Sequence, residues 1–307
     1  MNSSAPLQHL DRFDPQVLAA LQGLDLKARY VMEGFLSGVH GSPFHGFSVE
    51  FSDYRNYQPG DDLKHVDWRL FARSDRLCIK RYEQETNARF YILCDTSASM
   101  SYRGDRAWGS KLEVARILAA GLAWLLLRQN DAAGMVTLPG QPGALPRFIR
   151  PSQRSSQFGL ILNELNALQP AGGACLSGLI QQATRLVHRR SMILIFSDLL
   201  EPNAEIEQGF KQLRFLGHEC MVFQVLDRDE VEFPFTETRT FVDLESGVRR
   251  AVSPVAAREK YLQRFNQFMA AHETLFRELE IPHGVMRTDQ DPWPMLAMFL
   301  AQRERMK

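Results

Sequence analysis

The chain has 307 residues, 45% of them hydrophobic and 23% charged, the balance of an ordinary globular protein with room for a sizeable core. Lys plus Arg and Asp plus Glu both number 36, so no global field selects nucleic acid or an anionic membrane as partner. Cys78, Cys94, Cys175 and Cys220 are scattered with no C-x-x-C pair, which excludes a zinc framework or a small disulfide scaffold.

Along the chain, Val17, Leu18, Leu21 and Leu24 recur at helical spacing and predict a helix over 16–27. A Gly- and His-bearing loop follows from Gly38 to Gly46. Pro59-Gly60 then predicts a tight turn, and Asp61 or Asp62 caps a short helix carrying Leu63, Val66 and Leu70 on one face. Residues 77–80 read as a strand.

From residue 89 onward, strands and helices alternate. Phe90-Tyr91-Ile92-Leu93-Cys94 and Met192-Ile193-Leu194-Ile195-Phe196 are continuously apolar, as central parallel strands covered on both faces must be. Helices are expected over 111–127, 157–168, 176–188, 204–215 and 254–279, with a last one from Trp293. Strands are expected over 132–138 and 147–150 as a hairpin, and over 220–225 and 284–288. A second hairpin spans 241–250. This order predicts an α/β fold with a doubly wound, mostly parallel sheet over 89–307 and a smaller N-terminal module over 1–88.

The longest apolar run, 117–127, falls short of a bilayer span, and the N-terminus lacks the basic and apolar pattern of a secretory signal. A cytoplasmic location is expected.

In such sheets, ligands bind beyond the carboxyl ends of the strands. Two ends here are rich in oxygen: Asp95-Thr96-Ser97-Ala98-Ser99 and Ser197-Asp198. One carboxylate and two hydroxyls on a tight loop, with Asp198 from a neighbouring strand, form a candidate site for a hard cation such as Mg²⁺ or Mn²⁺. Asp and Ser also turn chains and cap helices, which is the plainer reading of the same residues.

Asp95-Thr96-Ser97-Ala98-Ser99, then Gly172-Gly173-Ala174, then Ser197-Asp198 resembles the metal-ion-dependent adhesion site of von Willebrand A-type domains. The upstream string Asp53-Tyr54-Arg55-Asn56-Tyr57-Gln58-Pro59-Gly60-Asp61-Asp62, with Asp67-Trp68-Arg69 and Ala72-Arg73, resembles the bacterial family known as domain of unknown function 58. The resemblance implies a von Willebrand A/Rossmann-like fold with metal ligands at Asp95, Ser97, Ser99 and Asp198. It further implies a non-enzymatic adaptor role with a MoxR-type AAA+ ATPase, or its client, as protein partner. Ala174 stands where the pattern has a threonine hydroxyl, and alanine cannot ligate.

The charged N-terminal residues Arg55, Asp61, Asp62, Asp67, Arg69 and Arg73 form either internal ion pairs or a docking face for that partner. Gly104-Asp105-Arg106-Ala107-Trp108-Gly109-Ser110-Lys111 resembles a P-loop in spacing, but Ser and Lys stand in the wrong order for phosphate binding. No G-x-S-x-G elbow accompanies His40, His45 and His65, and Ser97 stands where a dehalogenase-type phosphatase needs a second Asp. The alternatives to a metal-mediated adaptor are a metal-dependent hydrolase using Asp95 and Asp198, and a metal-free structural adaptor.

Overall fold

The computed structural model describes residues 13–40, 54–56, 78–80, 88–139, 145–172 and 175–305. The chain divides into two compact units, one of Met1–Gly38 with Ala88–Lys307 and one of Val39–Asn87. In the second unit, β1 (Tyr54–Asn56) pairs antiparallel with β2 (Cys78–Lys80), Arg55 facing Ile79 in the register.

The first unit is built on a six-stranded sheet. Its strands are β3 (Arg89–Cys94), β4 (Ala132–Thr137), β5 (Arg147–Ser152), β6 (Met192–Ser197), β7 (Glu219–Leu226) and β10 (His283–Arg287). Across the sheet they run β10-β7-β6-β3-β4-β5, all parallel except β5, which pairs antiparallel with β4. Counted within the sheet, this is the doubly wound order 3-2-1-4-5-6 with an antiparallel edge. The chain reverses its direction of travel between β3 and β6, so the crevice opens at their carboxyl ends.

Both faces of the sheet are covered, which explains the unbroken apolar runs. On one face Tyr91, Leu93, Val136, Ile193, Ile195 and Val222 form a single core with three helices. These are α5 (Leu176–Leu186), α6 (Asn203–Phe215) and α8 (Pro254–Glu278). On the other face lie α3 (Lys111–Arg128) and α9 (Trp293–Arg305), with Phe90 meeting Phe299 edge to face. Helix α3 is buried almost all round, as a helix without a polar face must be. Helix α4 (Ser156–Ala167) flanks α3 beside β4 and β5. No described helix is long and apolar enough to cross a membrane.

The N-terminal helix expected over 16–27 is two helices, α1 (Pro15–Ala20) and α2 (Leu24–His40). Leu21 turns extended, at φ −73° and ψ 129°, and ends the first helix, and Gly23 at φ +91° turns the chain into the second. Buried Leu24, Ala28, Val31, Met32 and Phe35 carry a helical stripe onward, so residues 38–40, expected as loop, belong to α2. Both helices group with the sheet, whereas the sequence reading placed them in a first module of residues 1–88. Met32 occupies the space left by Gly121 on α3, where a Cβ would lie 2.9 Å from its Cγ.

Gly134 sits at a shift of register between β4 and β5. A Cβ there would stand 2.6 Å from the Ile149 carbonyl oxygen and 2.8 Å from the Pro151 nitrogen, both backbone atoms that cannot rotate away. Gly134→Ala is expected to cost about 1–3 kcal/mol as the edge strand shifts. Urea denaturation measures this, and an unchanged midpoint would show that β5 yields without cost.

Candidate functional site

The crevice at the β3 and β6 ends is assembled by backbone pairing that outlasts the strands. Asp95 N–H donates to the Phe196 carbonyl at 2.9 Å, holding the two ends side by side. The buried Asp95 carboxylate then accepts the Ser97 N–H at 2.9 Å on one oxygen and the Ser197 hydroxyl at 2.6 Å on the other. Ser97 Oγ and Ser99 Oγ lie 3.1 Å apart as the chain enters a 3-10 turn over Ala98–Ser101. Thr96 faces the other way, its hydroxyl donating to the Leu138 carbonyl and its own carbonyl accepting the Ala171 N–H.

Asp198 ends β6 and is 1% exposed. Leu199 follows in the left-handed region at φ +61°, its N–H bound by the Ser197 hydroxyl. One Asp198 oxygen accepts the Leu200 N–H at 3.2 Å. The other accepts the Lys111 ammonium at 2.7 Å, and the same ammonium reaches a Glu230 oxygen at 2.6 Å. Lys111 comes from the first turn of α3, which is fixed by a capping box between Ser110 and Glu113. Glu230 comes from α7 (Arg228–Glu232), whose own capping box joins Asp227 and Glu230.

The outer wall is a hairpin of β8 (Arg239–Val242) and β9 (Arg249–Val252). Phe241 stacks on Phe233, which in turn stacks on Tyr261, with Phe235 edge-on to both phenylalanines. At the hairpin tip, Glu245 accepts the Ser99 N–H at 2.9 Å. A cavity of about 750 Å³ lies between this aromatic wall and the strand-end loops.

A family of proteins of unknown function, DUF58, matches residues 53–274 of this chain. The chain belongs to the DUF58 family. This DUF58 protein is 28% identical to uncharacterized protein Rv1480 of Mycobacterium tuberculosis, over 95% of this chain and 91% of that one. Uncharacterized protein YeaD of Bacillus subtilis is also 28% identical, over 36% of this chain and 25% of its own. Among solved structures, BatB from Bacteroides thetaiotaomicron covers 71% of this chain and 99% of its own at 14% identity and a TM-score of 0.40. An aerotolerance-related membrane protein from Bacteroides fragilis covers 69% and 97% at 16% identity and a TM-score of 0.42. A von Willebrand factor type A protein from Catenulispora acidiphila covers 58% and 42% at 11% identity and a TM-score of 0.33.

In this DUF58 protein, Asp95, Ser97, Ser99 and Asp198, read from the sequence as metal ligands, line one crevice. Of the charged residues Arg55, Asp61, Asp62, Asp67, Arg69 and Arg73, only the Arg55 backbone is described, and the others lie outside the described residues, as does Ala174. Two participants were missed. Lys111 sits in the string set aside because its Ser and Lys stand in the wrong order for a P-loop, and Glu245 sits in the hairpin expected over 241–250.

Burial and the nearby Asp198 push the Asp95 carboxyl up to about 7, against the lowering pull of its Ser197 and Ser97 hydrogen bonds. Burial would drive the Lys111 ammonium down, but Asp198 and Glu230 outweigh it and hold the group above the usual lysine value. For Glu230 the balance runs the other way: burial outweighs the ammonium, and its carboxyl is raised.

These residues do not fit a resident divalent ion. Asp198 already carries an ammonium at 2.7 Å, and the Ser97 and Ser99 hydroxyls hydrogen-bond one another. A hard dication wants several oxygens near octahedral geometry, and residue 174, an alanine, supplies no side-chain oxygen.

Proposed function

We propose that this DUF58 protein is a non-enzymatic docking protein that engages a protein partner at the strand-end crevice, and that the partner is a MoxR-type AAA+ ATPase or its client. The reading is carried by one observation: a large cavity stands at the switch point of the sheet, ringed by exposed apolar side chains. Leu200, Val242 and Leu244 on its rim are 47%, 46% and 42% exposed. Apolar groups around a partly polar concavity are the usual anatomy of a docking site. The polar groups inside support binding over turnover. The carboxylates are tied to backbone N–H groups, hydroxyls or the Lys111 ammonium, and the serine hydroxyls bond each other. The Ser197 hydroxyl that donates to Asp95 is fully buried and does not line the cavity.

The test is capture of the purified native chain by a purified MoxR-type ATPase. Leu200→Glu and Leu244→Glu place charge on the rim without touching the core, and each is expected to weaken capture about tenfold or more. Leu160→Glu, exposed on α4 away from the crevice, is expected to leave it unchanged. Equal capture by all three variants would overturn the reading.

A further inference from the structure

We propose that the Lys111 ammonium is the resident cation of this crevice, holding the place of a divalent ion, so that the site is assembled without metal. The ammonium is 0% exposed and bridges two carboxylates from separate segments, Asp198 at 2.7 Å and Glu230 at 2.6 Å. Burying a lysine charge is costly unless it is paired this closely.

Its position in the helix strengthens the case. Lys111 is the first residue of α3, directly after the Ser110 cap, where the helix presents its positive end. A cation there is opposed by the helix dipole. The carboxylates of Asp198 and Glu230 supply the compensation.

The same geometry opposes a second cation. A divalent ion bound to Asp198 would lie within a few ångströms of the ammonium, in an interior where like charges are poorly screened. The remaining Asp198 oxygen is engaged by the Leu200 N–H. Asp95 has each oxygen engaged by a neighbouring serine, through the Ser97 N–H and the Ser197 hydroxyl. Glu230 gives its second oxygen to the Asp227 N–H at 2.7 Å. The assignment concerns the charge of the site and does not rest on the docking reading, since the rim variants leave these groups in place.

The experiment uses the full chain stripped with EDTA and titrated with Mg²⁺ and Mn²⁺ by calorimetry, with thermal melts in parallel. The native chain is expected to give no saturable heat at the Asp95 site up to millimolar ion, and its Tm is expected to stay unchanged. Lys111→Met, which keeps the bulk and removes the charge, is expected to lower the Tm by roughly 10 °C and to recover part of the loss in Mn²⁺. Saturable Mn²⁺ binding by the native chain that Asp95→Asn abolishes would overturn the proposal. So would a Lys111→Met chain that melts with the native one. If Lys111→Met does not fold, the native and Asp95→Asn titrations decide the matter alone.

Discussion

Asp227→Ala is expected to lower the unfolding free energy by about 4 kcal/mol, through two buried donors left unpaired and one lost helix cap. Asp227 is 1% exposed and ties three distant segments together. One of its oxygens accepts the Gly104 N–H at 2.9 Å and the Thr288 hydroxyl at 2.7 Å. The other accepts the Asp229 N–H at 3.0 Å and opens α7. Thr288 is fully buried, so its hydroxyl has no solvent to turn to. Gly104 is required for the approach, since a Cβ there would lie 2.4 Å from an Asp227 oxygen. The effect reaches the crevice because α7 carries Glu230 to Lys111 and Asp229 to the Tyr102 hydroxyl. Asp227→Asn preserves the shape and, with its one amide oxygen turned to Gly104 and Thr288, gives up only the acceptor for the Asp229 N–H, and is expected to lose about 1–2 kcal/mol. Urea denaturation of the two variants reads the difference, and equal losses would show that the charge, not the acceptor geometry, holds these segments.

Acid is expected to strain the protein through its buried histidines, against the opposing gain from the Asp95 carboxyl, which takes up its proton near 7. His272 on α8 is 0% exposed, and neither of its ring nitrogens has a hydrogen-bond partner among the described residues. It packs edge-on to Phe268 at 4.3 Å, with Phe276 next along the helix. Phe276 also lies against His283, whose Nε2 is 3.0 Å from the Gln224 amide oxygen. Burial lowers both histidines from 6.5 to about 4, and the His272 ring adds to the lowering at His283. Burial lowers His218 as well.

At these histidines the folded state therefore refuses protons that the unfolded chain accepts. The stability is fully present above pH 6.5 and is lost as the pH falls from 6.5 toward 4. At pH 5 this amounts to about 2 kcal/mol for each of the two histidines, a large share of an ordinary domain's margin. Urea midpoints at pH 7, 6 and 5 measure the slope, and His272→Phe is expected to remove about one proton's worth of it. A slope unchanged by that substitution would place the acid sensitivity elsewhere.

Strand positions were legible because buried parallel strands have no polar alternation to blur them. Residues 90–94 and 192–196 announce themselves by composition, and a polar pair directly after each announces the crevice. The convergence of Asp95 and Asp198 followed from topology alone, because β3 and β6 are neighbours at the switch point. Lys111 escaped notice because its meaning is not local. Its partners lie 87 and 119 residues further along, and nothing near it hints at either. The only signal was a basic residue in the first turn of a helix, against the dipole. Glu245 was invisible for the same reason, lying 146 residues from the N–H it meets. The break between Leu21 and Gly23 was masked by apolar spacing that continues in phase across it, so periodicity joined what the backbone divides.

The antiparallel strand β5 closes one side of the sheet, and an unpaired strand edge is an invitation to another chain. Here the invitation is withdrawn by sequence. Arg147 and Arg150 stand exposed along the strand. A second copy arriving at this edge meets like charges before it can extend the ladder. Two ordinary residue choices thus keep a sheet of strongly apolar strands from growing across molecules at high concentration.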